Sequence, residues 1–401
     1  MRWSVPMRNH GRVANYAPGQ SNDLTGQTNN FIGIQQSHVI SAKGYRESPI
    51  CTGYDHVLAH RVDDIFALPA EKDGEVVELS DTHMVVAYDD GTFEHVDLDT
   101  QYGISAGSVY PQHQATAFTL GEKVKKGDIL KYNPGFFKPS RFHRHQVQWM
   151  AGVIARTALM EASYTLEDSS AIDDWLSDQL GSEITKVKTI TVRFDQTIRN
   201  LVKVGDHTDI SSILCTIEDA VTADSGLFND DDLDTLRLMS SATPLAGAVG
   251  VVSNIEVFYH GDPDDMSDSL LELVTASDKR RRKKAKALGQ PAVTGQVDQS
   301  LRIEGDGLEL DHVAIKIYIT HHEGMGVGDK AVFCNQMKTV VGHRLSGVNE
   351  TISGRQINAI FGAKSVMDRI VLSPMLIGMT ISLMTAIGEK AAEMWMSNDT
   401  K

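Results

Sequence analysis

Three cysteines are spread over 401 residues, Cys51, Cys215 and Cys334, and no two form a Cys-x-x-Cys pair. This excludes a disulfide framework and a cysteine-built zinc site, and it fits a reducing compartment. Positive charge is scarce: 38 Lys and Arg stand against 53 Asp and Glu, a formal net charge of −15. A free-standing nucleic-acid binder carries an excess of Lys and Arg. Any such contact is therefore expected as a local patch within a larger assembly. There is no GxxxxGK[ST], no GxGxxG opening a helix and no GxSxG, so P-loop, dinucleotide and nucleophile-elbow chemistries have no carrier. The longest apolar stretch, Val371 to Ile387, is broken by Ser, Pro, Gly and Thr. It is expected to be too short and too interrupted for a membrane span. The opening "MRWSVPMRNHGRV" has no apolar core of the signal-peptide kind.

What remains is ordinary globular material, 41 % hydrophobic and 23 % charged. The length allows two or three domains or one large composite with a sizeable core. Charge is uneven. "DKRRRKKAKAL" (Asp278 to Leu288) is strongly basic, and the stretch from Asp206 to Asp234 is strongly acidic. The plain reading of both is solvated surface.

The chain has no internal repeat and no low-complexity tract. Residues 1 to 30, rich in Asn, Gln and Gly, read as extended. From Phe31 onward short β-type runs alternate with turn signals. "DGEVVELSDTHMVVAYDDGTFEHVDL" reads as three strands with an Asp90-Gly91 hairpin turn. "GEKVKKGDILKY" reads as a short strand pair around Lys126-Gly127. "FHRHQVQWMAGVIARTALME" (Phe142 to Glu161) places Val147, Met150, Val153, Ile154 and Ala158 at helical spacing, which predicts a helix. "TKVKTITVRF" alternates as a strand, "DDDLDTLRLMSS" reads as a short acid-capped helix, and "GAVGVVSNIEVFYH" as a hairpin-like run. "SDSLLELVTASDKRRRKKAKAL" is one helix with a basic second half. "LDHVAIKIYIT" is a strand, and the segment from Ser365 to Trp395 closes the chain as strand, loop and helix. The fold class is therefore α+β with many short strands, barrel-like rather than doubly wound.

Few residues stand out for chemistry. His143 and His145 in "HRH", and His321, His322 and Glu323 in "HHE", offer metal-ligating types without a spaced third ligand set, so surface roles fit better. Glu167-Asp168 is an adjacent carboxylate pair that by default belongs to an exposed turn. Lys330 and Lys338 in "GDKAVFCNQMK" are eight positions apart. On one strand they would share a face; if Asn335-Gln336 is a turn, they converge across a loop.

Taken in order, these segments resemble the C-terminal half of the β subunit of multisubunit DNA-dependent RNA polymerases. "VGDKAVFCNQMKTVVGHRL" is similar to the family's "GDKMAGRHGNKGVVSK", with Gly328, Asp329, Lys330, Lys338 and Val340-Val341 matching in spacing. "YTLEDSSAI" resembles "YNFEDAI", which puts Glu167 and Asp168 on the family's acidic pair. "SPICTGYDHVLAHRVDD", "DGEVVELSDTHMVV", "GEKVKKGDIL", "AVGVVSNIEVF" and "IVLSPMLIGMTISLMTAIGEKAAEMW" follow in the family's order, so the matches run over most of residues 29 to 395. There are departures. The family's glycine-rich linker is "AVFCNQM" here, and two family arginines fall near Gln27 and Thr380. The family's C-terminal segment has no counterpart. In this the chain resembles the split β-like subunits of phiKZ-like giant bacteriophages.

The resemblance implies a double-psi β-barrel core with an inserted flap-like domain and a C-terminal helix. The expected boundaries are 1–60 for an extended segment, 61–184 for the first barrel part with the acidic pair, 185–305 for the flap-like insert, and 306–401 for the second barrel part. It implies one half of a nucleotidyl-transfer site that transcribes phage DNA. Glu167 and Asp168 would be catalytic, near a second magnesium through water, and Lys330 and Lys338 would bind RNA and NTP phosphates. The principal magnesium would sit on an Asp triad, NADFDGD, of β′-like subunits; this sequence has no such motif. Implied partners are a β N-terminal half, β′-like halves, a specificity factor at the flap tip, DNA template, RNA transcript and NTPs, with no membrane. The chain alone would be inactive, and it would work in the bacterial host cytoplasm or packaged in the virion. The rival reading is a non-enzymatic structural or virion protein that reuses a barrel fold without binding nucleic acid.

Overall fold

The structure is a computed structural model that describes residues 39–105, 107–150, 152–219, 242–303, 305–334, 337–369 and 372–397. Residues 1–38 of the expected N-terminal segment, with Gln27, the acid-capped helix and Asn335-Gln336 lie outside the described residues. Among the described residues the chain is mixed α+β. Short strands dominate, and seven sheets form, none of which closes on itself. Four α-helices accompany them: α1 (Asp174–Gln179), α2 (Asp268–Ala287), α3 (Ala363–Asp368) and α4 (Ser373–Met396). The chain divides into two compact units, one of residues 1–105, 112–183 and 323–401, the other of 106–111 and 184–322.

In the first unit, Gly74–Leu79, His83–Tyr88 and Phe93–Asp97 form the expected antiparallel meander. Gly91, at φ 84°, supplies the left-handed turn that a side-chain-bearing residue adopts reluctantly. Alternate side chains (Val76, Met84, Val86, Val96) point inward to a shared core with Val124 and Leu130. Lys123–Val124 and Ile129–Tyr132 are strands but do not pair with each other. The first lies against Gly74-Glu75, the second against Ala67–Pro69. Lys131, in the second strand, is buried and donates to the Asp97 carbonyl at 3.2 Å.

The helix expected over 142–161 is absent. Val147–Trp149 is a strand paired with Phe137–Pro139, and Thr157–Leu159 is a strand running parallel to Ala359–Phe361. A helix needs unbroken right-handed backbone, yet His145 sits at φ 60° and Gly152 at φ 150°. The apolar spacing was coincidental. Val147 and Trp149 are buried by alternation, and Trp149 packs against Phe136 and Phe137.

A five-stranded sheet has the order Thr157–Leu159, Ala359–Phe361, Ser169–Ile172, Met337–Arg344, Lys330–Phe333. Ser169–Ile172 runs parallel to Met337–Arg344 and antiparallel to Ala359–Phe361. One face buries Ile172, Val341 and Ala359 with Leu176 of α1. Met337 and Phe361 pack with Val366 of α3 in a second cluster.

The closing segment is not strand, loop and helix. Ser365 to Asp368 belongs to α3, and α4 runs without a break through 24 residues. Its Ser, Thr, Gly and Pro do not interrupt it. Pro374 sits in the first turn, where a missing N–H costs nothing. The hydroxyls of Thr380, Ser382 and Thr385 bond back to Leu376, Gly378 and Ile381 carbonyls, each at 2.8 Å. By length and apolar composition α4 could cross a membrane. The same is true of helices covered by protein, so the sequence argument from interruption does not hold. Leu376, Met379, Leu383 and Ile387 are exposed along it.

The second unit is built on long strands. Gly250–His260 and His312–Glu323 pair antiparallel over nine positions, with Ser182–Arg193 beside the latter. The run expected to be hairpin-like is thus one long strand. Ser182–Arg193 is rich in Ile, Val and Thr, which suit a pleated, half-buried surface. Val252, Val257, Ile315, Ile317 and Ile319 pack with Leu270 and Val274 of α2. Fully burying a side chain such as Leu270 contributes about 1.5–3 kcal/mol. Helix α2 begins with Asp268, ends with Lys284 and Lys286, and is followed by Gly289 at φ 62°, the left-handed residue that commonly ends a helix.

Candidate functional site

The "GDK" tripeptide has a local explanation. Gly328, at φ 98°, makes the turn, and Asp329 closes it by accepting from the Gly326 amide at 2.8 Å. The Asp329 and Val341 backbones bond at 2.9 Å, and the Gly328 amide donates to the Val341 carbonyl at 2.8 Å. Lys330 is therefore launched from a fixed turn into the strand Lys330–Phe333. That strand forms a hairpin with Met337–Arg344, with Lys330 opposite Val340 and Val332 opposite Lys338. Residues opposite one another share a face, so the two lysines lie diagonally on one face, roughly 7–8 Å apart at the backbone. Both are exposed, while Met337 and Thr339, on the alternate face, are buried. The lysines converge across a loop rather than along one strand.

The acidic pair enters from the other side. Val340 N donates to the Asp168 carbonyl at 2.9 Å, and Thr339 Oγ1 donates to the same oxygen at 2.8 Å. Parallel pairing of Ser169 with Val340 then carries the strand onward. The loop before it is tied down. Thr165 is fully buried; its hydroxyl donates to the Met160 carbonyl at 3.1 Å and accepts from the Ala162 amide at 2.8 Å. Ser169 Oγ donates to the Tyr164 carbonyl at 2.8 Å. Helix α3 clamps the loop. Ser365 donates to the Glu167 carbonyl, and the Lys364 amide donates to Glu161 at 2.6 Å. Glu167 sits at φ 54°, a left-handed conformation costly for a side-chain-bearing residue and maintained only when its surroundings fix it.

Sequence reasoning missed Arg369. Its Nη2 donates to the Lys338 carbonyl at 2.8 Å and pairs with the Asp168 carboxylate, and its guanidinium lies 5.8 Å from the Phe361 ring. One arginine thus links the acidic loop to the lysine hairpin. The only signal in the sequence is an isolated cation just after α3. Asp168 is 72 % exposed and Arg369 20 % exposed at the side chain, so the pair joins a wet surface to a drier interior. Cys334, in the hairpin turn, is at φ 50°, and burial pushes its thiol up to about 11. Thr380 is exposed on α4 with its hydroxyl bonded to its own helix, so no cation stands at that position.

The histidine motifs do not form a metal site among the described residues, where no group of three or more His, Cys, Asp and Glu is disposed to hold an ion. His145 stacks on Phe118 at 4.0 Å and meets Glu122 at 3.0 Å, which commits it to packing. Magnesium takes six oxygen ligands in near-octahedral geometry. The acidic loop offers Glu167 and the part of Asp168 that Arg369 leaves open. These residues do not make a magnesium site by themselves.

The arrangement has a clear chemical capacity. Two exposed ammonium groups, two exposed carboxylates and one anchoring guanidinium sit on or beside neighbouring strands of one sheet. Such an array can hold a phosphate-bearing ligand by point charges while carboxylates orient its other groups.

No protein-family model matches the chain. Over 72 residues, 18 % of the chain, it is 36 % identical to the β subunit of DNA-directed RNA polymerase from Thermus aquaticus. Over a segment of the same length it is 35 % identical to the β subunits of two Thermus thermophilus strains. The matched segment spans 6 % of those subunits' length. The similarity points to a polymerase-related role.

Proposed function

We propose that this chain is a β-like subunit, corresponding to the C-terminal half, of a multisubunit DNA-directed RNA polymerase. It contributes one half of a nucleotidyl-transfer site that a β′-like partner completes. The observation that carries the reading is the union of the two sequence motifs. The acidic loop and the lysine hairpin, 171 positions apart, meet through hydrogen bonds at the Asp168 carbonyl. The partial identity to bacterial β subunits supports the same reading.

In this reading an RNA 3′-hydroxyl attacks the α-phosphate of an incoming triphosphate. Lys330 and Lys338, as compact point charges, contact phosphates near the RNA 3′ end and neutralise charge there. Glu167 and Asp168 face the incoming triphosphate, with Asp168 held in orientation by Arg369. Magnesium takes its principal ligands from the partner, because no group among the described residues is disposed to hold it. The mixed sheet, with parallel pairs between distant segments, is our reason for reading the core as part of a double-psi β-barrel. Residues 185–305 form the flap-like insert, close to the limits of the second unit. We take the organisation of the gene product to be that of a split phage polymerase. It would act on phage DNA in host cytoplasm or be carried in the virion, with a specificity factor at the flap tip.

Pull-down of a tagged chain from infected cells tests the assembly. Co-purification of β′-like subunits bearing an Asp triad is expected; virion structural proteins alone would overturn the reading. The purified chain with template, four NTPs and magnesium should make no RNA. Template-dependent product from this chain alone would refute a split site.

A further inference from the structure

The basic run that sequence reasoning set aside as solvated surface has an unusual geometry. Lys279, Arg280, Arg282, Lys283 and Lys286 of α2 are exposed, and none has an ion-pair partner among the described residues. Lys279, Arg282, Lys283 and Lys286 stand at i, i+3, i+4 and i+7, so they share one face over two turns. That row is about 10 Å long. The opposite side of the same segment is fixed inward. Buried Asp278 accepts from the Gly295 amide at 2.6 Å and from Tyr259 Oη at 3.1 Å. Arg281 donates to the Val257 carbonyl at 2.5 Å and lies 4.6 Å from the Phe258 ring. A Cβ at Gly295 would come within 2.6 Å of the Val257 carbonyl oxygen that Arg281 bonds, so this close approach requires glycine. The cations are thus displayed on a held scaffold, which lowers the ordering cost of binding.

We infer that this face of α2 binds the sugar-phosphate backbone of a nucleic acid, without reading its sequence. Clustered like charge repels itself and needs an anionic partner to be neutralised. Protein interfaces centre on buried aromatic and apolar anchors, but no large apolar side chain is exposed among the described residues between Gly250 and Pro291. A membrane-surface helix needs an apolar face free to enter the lipid, and the apolar face of α2 is buried in the core of its unit. A linear polyanion needs neither. Over about 10 Å of axis, a duplex presents roughly six phosphate charges. The inference does not rest on the polymerase reading, since α2 and the lysine hairpin belong to different units.

The test is fluorescence anisotropy with the full chain, using a fluorescein-labelled DNA duplex of about 30 base pairs and its single strand. Salt is varied from roughly 50 to 200 mM, the range in which phosphate contacts are lost steeply. The quadruple variant Lys279→Ser, Arg282→Ser, Lys283→Ser, Lys286→Ser should weaken binding on the order of tenfold or more at the lowest salt. Its log K against log salt slope should fall by about 3–4. The variant Lys279→Arg, Lys283→Arg, Lys286→Arg should keep both. All replaced side chains are exposed, so circular dichroism melting should be unchanged. If the quadruple variant does not fold, Lys283→Ser, Lys286→Ser should lower the slope by about 1.5–2. Three results would overturn the inference: no binding by the wild-type chain at the lowest salt, an unchanged slope in the folded variants, or poly-glutamate binding as tightly as DNA. Lys330→Ala, Lys338→Ala, which challenges the polymerase reading, should leave the α2-dependent share of the slope in place, so the two ideas fail separately.

Discussion

Two cationic surfaces of this molecule are each organised by one half-buried arginine, and they differ in where its acid stands. At α2, Arg281 donates to a backbone carbonyl, leans on Phe258 and lies 3.8 Å from Asp278, which is 7 % exposed. At the lysine hairpin, Arg369 donates to a backbone carbonyl, lies near Phe361 and pairs with Asp168, which is 72 % exposed. In the first case the acid is used up inside, and the outer cations remain a row of one sign. In the second the acid stays on the surface among the lysines. A row of like charge attracts any polyanion. A mixed-sign array imposes direction on a ligand that carries both phosphate and hydroxyl groups. In the readings proposed above, the same anchor serves a grip in one place and an orienting site in the other.

The sharpest way to break this comparison is to remove the hairpin ammonium groups. Lys330→Ala or Lys338→Ala in assembled enzyme should each slow RNA extension roughly 10- to 150-fold, as loss of a charge-assisted contact worth about 1.5–3 kcal/mol would. Subunit assembly should stay intact, and Asn335→Ala should do less. Wild-type extension rates in both variants would remove the orienting role and leave only the fold. The α2 quadruple variant should extend RNA from a preformed scaffold normally at low salt, which separates grip from orientation.

Next come the anchors. Arg281→Ala removes a hydrogen bond and a ring contact from a nearly dry site and leaves Asp278 without its cation. It should cost about 2–3 kcal/mol in urea unfolding. Arg369→Ala should cost less, about 1 kcal/mol, because its acid is well solvated and the pair is screened. Equal losses would deny the contrast in burial on which the comparison stands. The signature of Arg369 should instead appear in extension, as a fall in kcat with little change in NTP KM. The smallest effect is at the hairpin turn. Cys334→Gly relieves the left-handed strain at φ 50° and should stabilise by up to about 1 kcal/mol, or be neutral once the unfolded state's extra freedom is counted. Maleimide should label exposed Cys51 faster than Cys334, whose thiol burial pushes up to about 11.

Parts of this were legible in the sequence for physical reasons. The Ile, Val and Thr of Ser182–Arg193 and the turn-bounded apolar run of His83–Tyr88 gave strands, and α2 announced itself by its spacing and its charged ends. The 142–161 segment misled because five apolar residues happened to fit a helical period. The glycine at 152 was the contrary signal, and the pairing partners Phe137–Pro139 and Ala359–Phe361 are tertiary facts that no local pattern encodes. The 371–387 run misled in the opposite direction, since hydroxyls that bond back to their own helix do not interrupt it. Within the site, the lysines and carboxylates were found by resemblance to a family. Arg369 was not, because a lone arginine acquires meaning only when the fold carries it to Lys338 and Asp168.

The parallel pairing of Ser169–Ile172 with Met337–Arg344 also governs how the protein is born. Asp168 and Thr339 are 171 positions apart. At synthesis rates of about 5–20 residues per second, the acidic loop leaves the ribosome roughly 10–30 s before its partner strand exists. During that time the intervening segment, which carries its own core, can fold undisturbed. The site closes only once Met337–Arg344 has emerged. A nascent chain released before residue 345 would hold a folded middle and two unmatched edges, and those edges are the surface a chaperone would have to cover.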